Sequence, residues 1–129
     1  MARRHSYEVA VEWTGDRGSG TRGYRTYGRD HTVVADGRPV LLGSADPFFR
    51  GDPERWNPEL LLVAALSECH LLSYLSLCAR AGVVVREYRD RAVGAMAEEG
   101  SGGRFVEVLL RPEVHVDDPA VIDRAVGLH

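Results

Sequence analysis

Asn57-Pro58-Glu59-Leu60-Leu61-Leu62-Val63-Ala64-Ala65-Leu66-Ser67-Glu68-Cys69-His70 is the stretch from which the fold is read. Asn57 is a good N-cap, Pro58 suits the first helical position, and Glu59 places a negative charge in the first turn. The pattern predicts a helix running to about Ala81, with Gly82 as its stop. Its first half is apolar nearly all round, which predicts a central helix buried against a sheet or a second helix. One small sheet gives too little cover for so long an apolar helix, so oligomerisation is expected.

Working outward, Tyr7, Val9, Val11 and Trp13 alternate with Glu8, Ala10 and Glu12, the period of a strand with one buried face. A second strand is expected around Gly23 to Arg29, after a turn at 14–20. A hairpin should pair His31–Ala35 with Pro39–Leu42 across Asp36-Gly37. The N-terminal third thus predicts an antiparallel meander of three or four strands. From Gly43 to Trp56 the chain turns irregular, a loop long enough to suggest function, with Phe48, Phe49 and Trp56 as possible walls of an apolar site or as pins to the core. Downstream, Val83 to Met96 reads as one long strand, turned back at Gly100-Ser101-Gly102-Gly103 into Arg104–Val116. Asp117-Asp118-Pro119 then caps a last helix, with Val121, Ile122, Ala125 and Val126 apolar. Strands, long helix, strands, helix is an α+β order, expected as a single domain over residues 1–129 with an antiparallel sheet packed on a long central helix.

Composition narrows the chemistry. The chain has 129 residues, 44% of them hydrophobic, which suffices for a core without disulfide staples. A net charge of −3 leaves no basic surplus for nucleic acid. All 16 basic residues are arginine, so Schiff-base, P-loop lysine and lysine-base chemistries are excluded. Any active-site cation must be Arg or protonated His. No hydrophobic signal segment leads the chain, and Leu60 to Leu66 is too short to span a bilayer. A cytoplasmic protein with no membrane partner and reduced thiols is expected.

The two cysteines are Cys69 and Cys78. Cys69, between Glu68 and His70, reads either as a space-filling thiol or as a reactive one. Cys78 lies among Leu75, Leu77 and Ala79 with no ionisable neighbour before Arg80. On one helix the two are offset by about 13.5 Å and half a turn, beyond the roughly 7 Å a disulfide allows. Their spacing lacks the close pairs of a zinc site and the five histidines are dispersed, so no metal and no cofactor are expected. His70 points about 100° away from Cys69 and reads as a structural hydrogen-bonding residue rather than a base.

The segment from Asn57-Pro58-Glu59 to Cys69-His70-Leu71-Leu72 resembles the helix of the OsmC/Ohr family, the osmotically inducible and organic hydroperoxide resistance proteins. Glu59 and Cys69 keep the family spacing, and Gly28-Arg29-Asp30 resembles the segment that supplies its active-site arginine. The approach Gly51-Asp52-Pro53-Glu54-Arg55-Trp56 is similar to the OsmC-like subgroup. The resemblance spans nearly the whole chain. It implies an intertwined α+β homodimer that reduces organic hydroperoxides, with Cys69 as nucleophile, Arg29 as the cation that lowers its pKa, and Glu59 orienting Arg29. A non-catalytic dimeric module of the same fold, binding a small apolar ligand or serving in stress, is the alternative.

Glu59 and Cys69 are separated by about 15 Å of rise on a straight helix. They can share a site only if the helix breaks or if Glu59 comes from the twofold partner, and the second is expected. The family's resolving cysteine would fall just beyond His129, and Cys78 is no substitute. Either the chain continues past its last residue here, leaving the final helix incomplete, or an external thiol must act as reductant.

Overall fold

The computed structural model describes residues 2–129. The chain divides into two compact units, Met1–Leu61 and Leu62–His129.

In the first unit, β1 (Ala10–Trp13), β2 (His31–Val34) and β3 (Leu41–Gly43) form an antiparallel sheet in the order β1-β2-β3. Thr32 pairs with Glu12 on one side and with Leu42 on the other. The expected β2–β3 hairpin is present, turning at Gly37 with φ 73°, a conformation glycine adopts without a Cβ penalty. β1 is shorter than its alternating sequence, and the face expected to be buried is open: Tyr7 is 91% exposed and Val11 64%. The unit supplies no layer to cover that face.

The strand expected at Gly23–Arg29 is absent, and those residues form turns. Local side chains take the backbone groups that a ladder would need. The Thr26 hydroxyl donates to the Gly23 carbonyl at 3.0 Å, and the Arg29 guanidinium takes the carbonyls of Tyr24 and Tyr27. Trp13 Nε1 donates to the Gly28 carbonyl at 2.8 Å and closes the loop onto β1.

The irregular segment before the helix is internally hydrogen-bonded. Ser44, fully buried, donates its N–H to the Trp56 carbonyl and accepts from the Asp52 N–H. Asp46 caps a 3₁₀ turn at Pro47–Phe49. Phe48 is 75% exposed, with its ring edge-on to Phe49, so it does not pin the loop to a core.

α1 (Pro58–Arg80) begins in the first unit and continues through the second. Asn57 caps it as expected, Oδ1 accepting from the Leu60 N–H at 2.9 Å, and Asn57 is itself buried. Asn57→Ala is expected to cost about 1 kcal/mol, and Asn57→Asp to recover most of it. Urea denaturation of the two variants checks both values.

In the second unit, β4 (Val85–Asp90), β5 (Val93–Glu99), β6 (Gly102–Leu109) and β7 (Pro112–Val116) replace the two long strands expected. β4 pairs with β7 and β5 with β6, both antiparallel. The pairs Asp90–Pro112 and Val93–Leu109 keep one register across the gap, so this is a single bent ribbon. Asp90 accounts for the bend. Its Oδ1 accepts from the Arg111 N–H and its Oδ2 from the Ser67 hydroxyl of α1, both at 2.6 Å. A carboxylate thus takes over where the ladder is interrupted.

The core of this unit is Tyr74, Cys78, Val83 and Ala125, with Val85, Tyr88, Val114 and Val116 of the ribbon packed around it. The Tyr74 hydroxyl donates to the Ala125 carbonyl at 2.7 Å, tying α1 to α2 (Ile122–Gly127). Gly82, with φ 74°, ends α1 as expected, and the Val83 N–H returns to the Cys78 carbonyl. The last helix opens with a 3₁₀ turn, Pro119–Val121, capped by Asp118.

Within one protomer α1 is covered only along a narrow stripe. Only Tyr74 and Cys78 of its 23 residues are buried. Ser67, His70, Leu71, Tyr74 and Cys78 form the inward stripe, while Leu62, Leu66, Leu72 and Leu77 are exposed. An apolar helix without amphipathic relief leaves leucines outside whichever stripe its own unit covers.

Candidate functional site

Cys69 lies on the outward side of α1 and is exposed, whereas Cys78 is buried in the core. At helical spacing, Leu66 and Leu72 stand on either side of Cys69, and both are exposed. Within one protomer the Cys69 thiol therefore opens onto an apolar stripe, whereas Cys78 packs in the core.

Arg29 and Glu59 both belong to the first unit. Arg29 turns back into its own loop: Nη1 donates to Tyr27 O at 2.6 Å and Nη2 to Tyr24 O at 2.7 Å. Its guanidinium carbon lies 3.8 Å from the Tyr27 ring centre and 4.5 Å from that of Tyr24, within cation–π range. Glu59 leaves Oε2 buried without a hydrogen-bond partner. Within one protomer, then, Arg29 and Glu59 do not pair. α1 runs unbroken from Pro58 to Arg80, so no break in the helix brings Glu59 round to Cys69.

Arg55, which the sequence reading passed over, sits between Asp30 at 3.9 Å and Asp52 at 3.8 Å. It also donates to the His31 carbonyl, and His31 Nδ1 lies 3.0 Å from Arg29 O. This network fixes the segment around Arg29 to the approach to α1. The aromatic bracket was legible only as Tyr24-x-x-Tyr27-x-Arg29, a spacing with no meaning until the loop folds.

The solved structure of an OsmC-like protein of unknown function from Vibrio cholerae matches with a TM-score of 0.81 at 29% sequence identity, over 97% of this chain and 87% of that one. The chain shares the OsmC-like fold. An OsmC-like protein from Mycoplasma pneumoniae shares the fold at 13% identity, with a TM-score of 0.69 over 97% of this chain and 80% of that one. No family model and no curated protein matches the sequence.

On the inward side of this OsmC-like helix, His70 makes the structural contact its position suggested. Its Nε2 lies 3.0 Å from His129 Nδ1, and the His129 ring stacks on Tyr74 at 3.9 Å. Burial, and then the neighbouring His70, hold the His129 pKa below its ordinary 6.5. The folded state therefore prefers neutral His129. That contribution to stability is complete above pH 6.5 and is lost as pH falls through the lower folded value. Wild type is expected to melt at lower temperature at about pH 5 than at about pH 8, and His129→Phe to flatten that difference. Thermal unfolding at the two pH values checks it.

Proposed function

We propose that this OsmC-like protein is a thiol-dependent peroxidase that reduces organic hydroperoxides at Cys69 and works as a homodimer. The observation that carries the reading is that, within one protomer, the Cys69 thiol lies exposed between Leu66 and Leu72 rather than packed in its own core, so that a second copy would complete the apolar walls around it. An apolar approach to a thiol suits an organic hydroperoxide better than hydrogen peroxide.

In the proposed reaction the Cys69 thiolate attacks one peroxide oxygen. An S–O bond forms, the O–O bond breaks, and the alkoxide leaves as alcohol with the thiol's proton. Sulfur is oxidised to sulfenic acid as the peroxide is reduced. An external thiol then displaces water to form a mixed disulfide, and a second thiol frees Cys69.

A second copy is the natural cover for Leu62, Leu66, Leu72 and Leu77 and for the open face of β1. By length and composition alone α1 could also cross a membrane. Its inward stripe of Ser67, His70 and Tyr74, engaged with Asp90, His129 and Ala125, favours the dimeric, cytoplasmic reading. The buried, unpartnered Glu59 Oε2 marks where a cation from the second copy would be welcome.

One observation favours a second reading, a non-catalytic ligand-binding module: Arg29 is held by two carbonyls and two rings in its own loop. The two readings separate in a peroxide-consumption assay with a small thiol as reductant, comparing cumene hydroperoxide with hydrogen peroxide. Turnover that prefers the organic peroxide and vanishes in Cys69→Ser supports the peroxidase. Equal consumption by wild type and variant supports the binder.

A further inference from the structure

The outward face of the bent ribbon carries an arginine cluster that the peroxidase reading does not use. Arg89, Arg91 and Arg111, with Glu113, line a groove of about 510 Å³, a volume within the range of small-molecule sites. The ribbon register explains their convergence. Arg89 pairs with Glu113, and residues two apart on a strand share a face. Across the bend, Arg111 Nε donates to the Arg91 carbonyl at 3.3 Å, holding the two arginines opposite each other.

Like charges placed opposite each other on a ribbon are destabilising. Elsewhere on the same ribbon this is avoided: Arg86 pairs with Asp117 at 3.0 Å and Arg104 with Glu99 at 2.9 Å. Among the described residues Arg89, Arg91 and Arg111 form no ion pair, although Glu113 borders the groove. The acid nearest in sequence, Asp90, points inward and is spent on Ser67 and the Arg111 backbone. Three arginines thus line one concavity against a single carboxylate, Glu113, and leave it with a net positive charge.

We propose that this groove binds a small, multiply charged oxyanion. Guanidinium forks recognise phosphate and carboxylate through paired N–H donors, and two or three of them around one groove select a ligand with more than one charge. Glu113 excludes ligands that would place negative charge at the Arg89 end and leaves room there for a hydroxyl or amino group.

The test is thermal unfolding of the full chain at low ionic strength with inorganic pyrophosphate, and separately with citrate. Saturating pyrophosphate or citrate is expected to raise the wild-type midpoint by about 5 °C or more. Arg91→Gln and Arg89→Gln should each weaken the apparent affinity by at least about tenfold. Arg104→Gln should respond as wild type does. Without ligand, Arg91→Gln should be at least as stable as wild type, so a lost response cannot be read as unfolding. Whichever anion acts names the group recognised. No response to either anion, an equal response in Arg91→Gln, or binding confined to duplex DNA or to anionic phospholipid vesicles overturns the proposal.

Discussion

Cys69→Ser is expected to lower thiol-supported turnover of cumene hydroperoxide by more than about 10³-fold, the scale on which loss of a covalent nucleophile is read. Serine keeps the shape and the helix, but its hydroxyl is not a nucleophile toward peroxide at neutral pH. Cys78→Ser is the informative partner. Cys78 is 1% exposed and packs against Tyr74 and Val83, so no peroxide reaches it in the folded state. That variant should keep its turnover per folded molecule and lose about 1–3 kcal/mol of stability, because a hydroxyl replaces a thiol in an apolar site. Peroxide kinetics set beside urea denaturation separate the two effects.

Tyr74→Ala is expected to cost about 3–5 kcal/mol, enough to threaten the second unit's fold. Tyr74 fills the space between α1, the ribbon and α2, stacks on His129, and lends its hydroxyl to the Ala125 carbonyl. Tyr74→Phe keeps the ring and gives up the hydrogen bond, so about 1 kcal/mol is expected from it. Alkali provides an independent check. Burial, then Cys78, pushes the Tyr74 phenol from 10.0 up to about 12. The stabilisation this represents is whole below pH 10 and is lost as pH rises through the folded value of about 12. Wild type should therefore lose stability across that window more steeply than Tyr74→Phe.

Local signals in the sequence were read correctly where local physics decides. Asn57 and Pro58 start α1 and Gly82 stops it, because caps and left-handed turns depend on the residues at hand. Asp36-Gly37 marked its hairpin for the same reason. The failures share a different cause. The break of the ribbon depends on Asp90 meeting Ser67 and Arg111, residues 23 and 21 positions away, and nothing within a strand's length announces it. The segment Gly23–Arg29 is expected as a strand, yet Arg29 folds back onto Tyr24 and Tyr27. Which stripe of α1 its own chain covers was not legible, because a run that is apolar on all sides carries no information about it.

The candidate site was legible in the same uneven way. The helix start and the cysteine ten residues after Glu59 could be read directly. Which cysteine is accessible could not be decided by spacing, but follows from Cys69 facing outward and Cys78 inward. One protomer leaves Arg29 in its tyrosine bracket and Glu59 Oε2 without a partner.

The central claim, that Cys69 is the atom peroxide meets, is tested most directly by trapping the sulfenic acid. The full-length protein is exposed to one equivalent of cumene hydroperoxide with dimedone present, digested, and the adduct located by peptide mass spectrometry. The account predicts the adduct on the peptide containing Cys69, none at Cys78, and none in Cys69→Ser. An adduct at Cys78 alone, or an unmodified Cys69 after the peroxide is consumed, would contradict it.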